Sequence, residues 1–128
     1  MTAKPHWAEQ YVRRQLEKER GTPFSKMRLI IGRNSRGEEV PHEFDLVSAD
    51  LKIVGEVKSG KLGNDSTGLA GYNGKRKLSL IADLFFLERV EADEKILVLT
   101  NEELFEKFKQ DMDGLLPKNM SIRYVSLP

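Results

Sequence analysis

The chain has 128 residues, of which 39% are hydrophobic and 32% are charged, and its formal net charge is +1. This length and composition predict one globular domain with a buried core over residues 1–128, rather than a disordered chain. The absence of cysteine excludes disulfides, thiolate metal sites and cysteine nucleophiles.

The small net charge hides an asymmetry along the chain. Residues 1–77 carry 15 Lys and Arg against 10 Asp and Glu, whereas residues 78–128 carry 6 against 10. The basic clusters of the first part either contact a phosphate backbone or are solvated charges on loops. Charge by itself does not separate these two interpretations.

The sequence carries no signal of a membrane protein. The first residues, MTAKPHWAEQ, contain no apolar segment of the kind found in signal peptides. No apolar run elsewhere is long enough to cross a bilayer. We therefore expect a cytoplasmic protein that has no membrane partner.

Residue patterns predict eight elements, because apolar residues recur at helical spacing in some segments and form short apolar runs in others. The predicted elements are a helix at 7–20, strands at 26–32, 42–48 and 52–58, a helix at 75–91, a strand at 95–100, a helix at 102–112 and a strand at 121–127. The order α-β-β-β-α-β-α-β predicts an α/β fold with a mixed central sheet flanked by helices.

Several local signals support these elements. Gly21 is suited to the left-handed position that closes the first helix, and Asn101 is suited to capping the third. The apolar run at 95–100 is typical of a strand that is buried on both faces. The second helix is expected to turn one wide apolar stripe toward the core. The members of that stripe are Leu78, Ile81, Ala82, Phe85, Phe86 and Val90.

Charged residues occupy a hairpin that otherwise looks buried, in the stretch HEFDLVSADLKIVGEVKSG at 42–60. A turn at Asp50 and Leu51 places Val47 opposite Val54, and by the same register residue 45 opposite residue 56. Both of these residues are acids, and directly opposed side chains have Cβ atoms about 4.5–5.5 Å apart. Such carboxylates repel each other unless a cation offsets their charge.

These residues suit a hard metal ion. Carboxylate oxygens from Asp45 and Glu56, with a carbonyl oxygen from Val57, are ligands that Mg²⁺ or Mn²⁺ prefers. Lys58 lies two residues beyond Glu56 and therefore on the same face, where its ammonium can orient or deprotonate a water. The competing interpretation is a solvated hairpin face that carries mixed charges.

The hairpin EFDLVSADLKIVGEVKSG resembles the motif of the PD-(D/E)XK nuclease superfamily, whose members share the restriction-endonuclease-like fold. The motif has an acid on the second strand and Glu-x-Lys on the third, which here are Asp45, Glu56 and Lys58, with Val57 between the last two. The family core is a helix, a three-stranded meander, a helix and a further strand, in the order predicted for residues 7–100. The resemblance implies that the two acids bind one or two Mg²⁺ ions and that Lys58 assists the attacking water.

Many members of this family add a Glu from the first helix to the metal site. Glu9 is the candidate here, because Val12 and Leu16 lie three and seven residues later, on roughly its side of the helix. Glu17 is the reserve. The alternative for Glu9 is a solvated acid in the first turn, which the helix dipole favours.

A second set of residues suggests a binding site for nucleic acid. The glycine-rich stretch at 59–74 is expected to be a loop, and basic residues around it would contact phosphates while a tyrosine stacks on a base. The candidates are Lys61, Tyr72, Lys75, Arg76 and Lys77. The alternative is an ordinary exposed loop. His42 is close in sequence to the acids and is a candidate for contact with the metal ligands rather than with the metal itself.

The leading hypothesis from the sequence is a Mg²⁺-dependent nuclease that hydrolyses DNA or RNA phosphodiesters, with DNA favoured over RNA. A chain of 128 residues has little room for a separate recognition domain, so specificity is expected to come from nucleic-acid structure, a protein partner or a homodimer. The homodimer is expected by analogy with small junction-resolving members of the family. One alternative is a catalytically silent module of the same fold that binds nucleic acid or a protein. Another is a structural protein with a polar hairpin. The sequence leaves open endonuclease against exonuclease activity.

Overall fold

The structure, a computed structural model, describes residues 6–59 and 72–128. In these ranges, a five-stranded mixed sheet is combined with three α-helices. The helices are α1 (His6–Arg20), α2 (Lys77–Arg89) and α3 (Glu102–Asp111), and the strands are β1 (Phe24–Arg33), β2 (Glu39–Ser48), β3 (Ile53–Lys58), β4 (Glu94–Leu99) and β5 (Met120–Tyr124). The predicted α/β class and order of elements are confirmed. Among the helices of these ranges, none has the length and apolar character needed to cross a membrane.

The strands lie in the sheet in the same order as in the chain. β1, β2 and β3 form an antiparallel meander, and β3, β4 and β5 run parallel to one another. The parallel pairs need crossover connections, which α2 and α3 provide. β4 has neighbours on both sides, and residues 95–99 are all buried, as the continuous apolar run predicts.

Two apolar clusters fill the two faces of the sheet. Ile96 and Val98 of β4 pack with Val12 and Leu16 of α1 in one cluster. The intervening strand residues pack in the other cluster, with α2 and α3. Because side chains alternate along a strand, each residue of β4 serves one face or the other. The residues at the carboxyl end of β3 therefore lie in a sheet that is covered by helices on both sides.

Local sequence signals fix the ends of two helices as predicted. Gly21 has a φ of +71°, and its N–H donates to the Glu17 carbonyl at 2.8 Å. Asn101 caps α3, because its side chain accepts a hydrogen bond from the Leu104 N–H at 2.9 Å. Only glycine takes the left-handed conformation at low cost, and a short side-chain oxygen satisfies an otherwise unpaired amide.

The predicted core face of α2 is largely wrong. Leu78, Ile81 and Phe85 are 67%, 42% and 53% exposed, whereas Leu80 and Leu87 are fully buried. The helix is apolar on most of its circumference, so helical spacing alone does not show which side faces the sheet. A π-helical turn, Tyr72–Arg76, precedes α2 and is interrupted at Gly74, where φ and ψ are −98° and −125°.

Candidate functional site

A β-bulge lies on β2 at the acid predicted from the sequence. Met27 of β1 pairs with Phe44, and Ser25 pairs with Val47, so β2 has one extra residue between these pairs. On the other side of β2, Val47 lies opposite Val54 as predicted, and the ladder with β3 ends at Leu46 and Gly55. Bulges redirect side chains and end strand pairing, often near active sites. Asp45 lies at this point.

Two carboxylates take the place of the missing ladder bonds between β2 and β3. The Val57 N–H donates to Asp45 Oδ2 at 2.9 Å, and the Asp45 N–H donates to Glu56 Oε1 at 3.3 Å. The structure therefore brings together the two acids that the sequence predicts as a pair. Val57 is mostly buried and takes part through its N–H, so a metal-ligand role for its carbonyl stays a prediction.

Glu56 is the most perturbed acid of the site. Only 5% of its surface is exposed. Burial, and after it the charges of Asp45 and Asp83, raises the pKa of Glu56 to about 9. Burial disfavours the charged carboxylate, and nearby negative charges add to this effect. At neutral pH and without a cation, Glu56 is therefore a neutral acid.

His42 is the direct partner of Glu56. Its Nε2 lies 2.7 Å from Glu56 Oε2, and its ring stacks on Phe86 with the ring centroids 3.8 Å apart. Burial lowers the pKa of His42, against the opposing effect of Asp83 and Asp45. The two shifts together favour a neutral pair in which Glu56 donates its proton to His42.

Lys58 reaches away from the two acids and toward α2. Its Nζ donates to Ser79 Oγ at 2.9 Å and lies 3.1 Å from Asp83 Oδ2. Ser79 and Asp83 are four residues apart and therefore share one side of α2. Burial raises the pKa of Asp83, against the effect of Lys58. Since Asp83 also acts on the pKa of Glu56, the ionisable groups of Lys58, Asp83 and Glu56 are electrostatically coupled.

Glu9 lies on the α1 side of the site. Lys26 Nζ is 3.3 Å from Glu9 Oε1, and Glu9, Asp45 and Glu43 all raise the pKa of Lys26. Glu9 Oε1 is buried, and the Lys26 ammonium is its partner. Arg13, one turn after Glu9, donates to the Asp45 carbonyl at 2.9 Å. α1 thus contacts the bulge at this point.

Glu17, the reserve candidate, has a different task. Its Oε2 accepts a hydrogen bond from the Phe24 N–H at 3.1 Å. It therefore holds the start of β1, where Phe24 pairs with Ser48 near the hairpin turn. Whether Glu9 or Glu17 adds an acid to the site stays a prediction.

The residues predicted to grip nucleic acid have mixed outcomes. Tyr72 is fully buried and its hydroxyl donates to Asp111 at 2.8 Å, so the prediction that it stacks on a base is wrong. Lys77 lies 3.3 Å from Asp111 and above the Tyr72 ring. Lys75 is exposed and Arg76 is half-buried, whereas Lys61 is outside the described residues. Phosphate contacts by these cations remain predictions.

Sequence reasoning missed most of the partners that complete the site. Asp83 was not singled out, although a lone acid inside the apolar segment LSLIADLFFL is a detectable signal. Ser79, Arg13 and Lys26 carried no such signal. His42 was given only a secondary role, whereas the structure places it in contact with Glu56.

The described residues contain a pair of acids rather than a closed metal cage. In residues 6–59 and 72–128, no three His, Asp or Glu side chains converge closely enough to enclose a metal ion. Asp45 and Glu56 are adjacent, and Glu9 and Asp83 flank them on the two helical sides. A metal ion bound to this pair would depend on water and substrate for its other ligands.

Comparison with known proteins gave no relative for this chain. No family model matches it, and neither the search of curated proteins nor the search of solved structures returned a match.

Proposed function

We propose that this protein is a metal-dependent nuclease of the PD-(D/E)XK type, which hydrolyses phosphodiester bonds of nucleic acid. The observation that carries the proposal is the adjacent pair of Asp45 and Glu56 at the end of the β2–β3 ladder, with Lys58 on the same strand as Glu56. Two such acids are both ionised in a buried sheet at neutral pH only when a cation offsets their charge. The order helix, three-stranded meander, helix and strand, which the resemblance implies, supports the restriction-endonuclease-like fold.

The residues present fit a Mg²⁺ or Mn²⁺ ion. Mg²⁺ is usually bound through one or two carboxylates, with waters and substrate phosphates as its other ligands. Asp45 and Glu56 would supply the carboxylates, and Glu9, which is paired with Lys26 at 3.3 Å, lies on the α1 side of the site. When bound, such an ion polarises a phosphoryl oxygen and makes a coordinated water more acidic.

The protein's own residues supply orientation and positive charge. His42, fixed by stacking on Phe86, holds one oxygen of Glu56, and the Asp45 N–H holds the other. Lys58 Nζ contacts Ser79 and Asp83, and these contacts hold it in one position. From there it donates hydrogen bonds to a water or to a phosphate oxygen, where negative charge grows in the transition state.

The substrate in this proposal is nucleic acid, with DNA favoured over RNA. Lys75 and Arg76 precede α2, the helix that also carries the two residues holding Lys58. Cations near the start of this helix would contact the phosphates that flank the cleaved bond.

One observation favours a second candidate, a catalytically silent module of the same fold. Asp45 and Glu56 each accept a hydrogen bond from a backbone N–H, and Glu56 is also paired with His42. Such contacts can serve structure alone. In that case the acids hold the splayed strands together, and the protein binds nucleic acid or a protein without cutting.

A cleavage assay separates the two candidates. Supercoiled plasmid, linear duplex, single-stranded DNA and RNA are incubated with the protein in Mg²⁺, Mn²⁺ or EDTA. We expect metal-dependent cutting that falls at least about 100-fold in Lys58→Ala and in Asp45→Asn. Lys52→Ala is the matched control, because Lys52 is an exposed lysine at the other end of the same hairpin. Cutting that persists in EDTA and in both variants indicates a contaminant, and binding without cutting supports the silent module.

A further inference from the structure

The outward side of α2 is an apolar stripe that no described element covers. Leu78, Ile81 and Phe85 are 67%, 42% and 53% exposed, and Ala82 between them is exposed as well. These residues recur at three- and four-residue spacing, so they form one continuous ridge about 10 Å long at 1.5 Å per residue. Contiguous exposed apolar surface of this kind marks interaction sites.

The other sides of α2 are already occupied. Leu80 and Leu87 are buried in the core, and Ser79 and Asp83 hold Lys58. The outward stripe is therefore a third side of the helix, distinct from the core side and from the side that faces the candidate site. It needs an explanation of its own, because three large apolar side chains face solvent there.

The charges at the two ends of this stripe are opposite to those that a helix prefers. The exposed Lys75 lies just before the first turn of α2, and the exposed Glu88 and Glu91 lie at its other end. Anions are favoured at helix N-termini and cations at C-termini, so this arrangement is unfavourable in a single helix. Arg89, in the last turn, offsets one of these acids, and its Nε–H donates to the Ile31 carbonyl of β1.

The α2 helix of a second copy, packed antiparallel, would offset the unfavourable charges at both ends of the helix. Its acidic end lies beside Lys75, and its basic end lies beside Glu88 and Glu91, with the two helix dipoles opposed. A two-fold axis between residues 81 and 82 also places Leu78 of one copy opposite Phe85 of the other, and Ile81 opposite Ala82. An antiparallel copy of the stripe thus meets apolar residues with apolar residues and Lys75 with Glu88, as an isologous interface requires.

We infer that the protein forms a homodimer through an antiparallel contact between the outward stripes of two α2 helices. The interface consists of Leu78, Ile81, Ala82 and Phe85, with Lys75 and Glu88 at its rim. This inference does not depend on nuclease activity. Lys75 is shared with the proposed phosphate contacts, so the variants below leave it unchanged.

Sedimentation of the full chain tests whether the stripe joins two copies. At about 100 μM, well above the Kd of an ordinary micromolar contact, we expect a dimer for the wild type. Leu78→Glu and Phe85→Glu are expected to be folded monomers, because both positions are exposed. Leu115→Glu is the matched control, since Leu115 is 71% exposed but lies outside α2, and it should remain a dimer. A wild type that is monomeric at this concentration overturns the inference, whatever else covers the stripe.

Cysteine cross-linking tests the antiparallel direction, because the chain has no cysteine of its own. Ala82→Cys lies next to the proposed axis and should form a disulfide-linked dimer on mild oxidation. Leu78→Cys should link poorly to itself but well to Phe85→Cys when the two proteins are mixed. Efficient self-linking of Leu78→Cys and of Phe85→Cys indicates a parallel contact and contradicts the antiparallel arrangement.

Discussion

Two groups of acids in this molecule differ in the cationic partners that surround them. Among the site acids, Asp45, Glu56 and Asp83, Lys58 contacts only Asp83, whereas Glu56 is paired with His42. The arginine–glutamate network, which consists of Glu19, Arg20, Glu94 and Arg123, matches each carboxylate with a guanidinium.

The direction of the pKa shifts follows from this difference. Burial raises the pKa of Glu56 to about 9, whereas hydrogen bonds from Arg123 and Arg20 lower the pKa of Glu19 to about 2. The hydrogen bond from Arg20 also lowers the pKa of Glu94. Acids whose pKa is lowered by a guanidinium are thus distinguished from acids whose pKa is raised by burial. Clusters of acids with a raised pKa are candidates for a functional site.

Replacing a glutamate by glutamine should raise the stability of the protein at Glu56 and lower it at Glu94. This is the largest effect we expect. In EDTA, the wild type should lose stability as pH rises from about 4.5 to about 9, because the unfolded chain ionises Glu56 before the folded protein does. Glu56→Gln keeps the shape of the neutral acid and should remove this loss, with a gain of about 2–4 kcal/mol at pH 8. Urea unfolding over this pH range measures it.

Glu94→Gln is the matched control for that experiment. It removes an acid that is paired with Arg20, so it should lower stability at neutral pH instead of raising it. Equal pH slopes for the wild type and Glu56→Gln would contradict the assignment of Glu56 as a buried neutral acid.

Metal binding should produce the next largest effect. At Mn²⁺ concentrations about 100-fold above the Kd, a ligand that binds only the folded state stabilises it by about 2.7 kcal/mol. For a chain of this length, such a gain should raise Tm by roughly 10 °C. Differential scanning fluorimetry with and without Mn²⁺ measures this shift.

Asp45→Asn should abolish the Mn²⁺-dependent rise in Tm, because it removes one of the two proposed metal ligands. Glu19→Gln should retain the full rise, since Glu19 belongs to the arginine–glutamate network. An equal rise in all three proteins would mean that Mn²⁺ binds elsewhere.

The arginine–glutamate network should give the smallest effect. Its side chains are 28–44% exposed, so Arg20→Ala should cost about 1 kcal/mol or less at neutral pH. The folded pKa values of Glu19 and Glu94 are lowered, so their contribution is present above about pH 4.5 and is lost as pH falls toward about 2.

Thermal unfolding of the wild type and Arg20→Ala at neutral and acidic pH measures this contribution. The difference between the two proteins should shrink at low pH and at high salt. A difference that grows on acidification would show that the network does not act through its charges.

Part of the candidate site was predictable because it depends on the regular geometry of strands. The two-residue spacing of Val54, Glu56 and Lys58 predicts one shared face of β3, and the pairing of Val47 with Val54 is confirmed. Asp45 lies at the bulge, beyond the last pair of this ladder. The contact of His42 with Glu56 was not predictable in this way. It depends on the bulge at Asp45 and on the position of Phe86 on a helix that is distant in sequence.

The sequence by itself determined the α/β class, the order of elements and the helix ends at Gly21 and Asn101, because these follow from local patterns and turn chemistry. Only the tertiary structure decided which side of α2 is buried and which side carries Leu78, Ile81 and Phe85 toward solvent. A helix that is apolar on most of its circumference has several candidate core faces. Its orientation is set by packing against the sheet and by the contacts of Ser79 and Asp83 with Lys58, which join residues that are far apart in the chain.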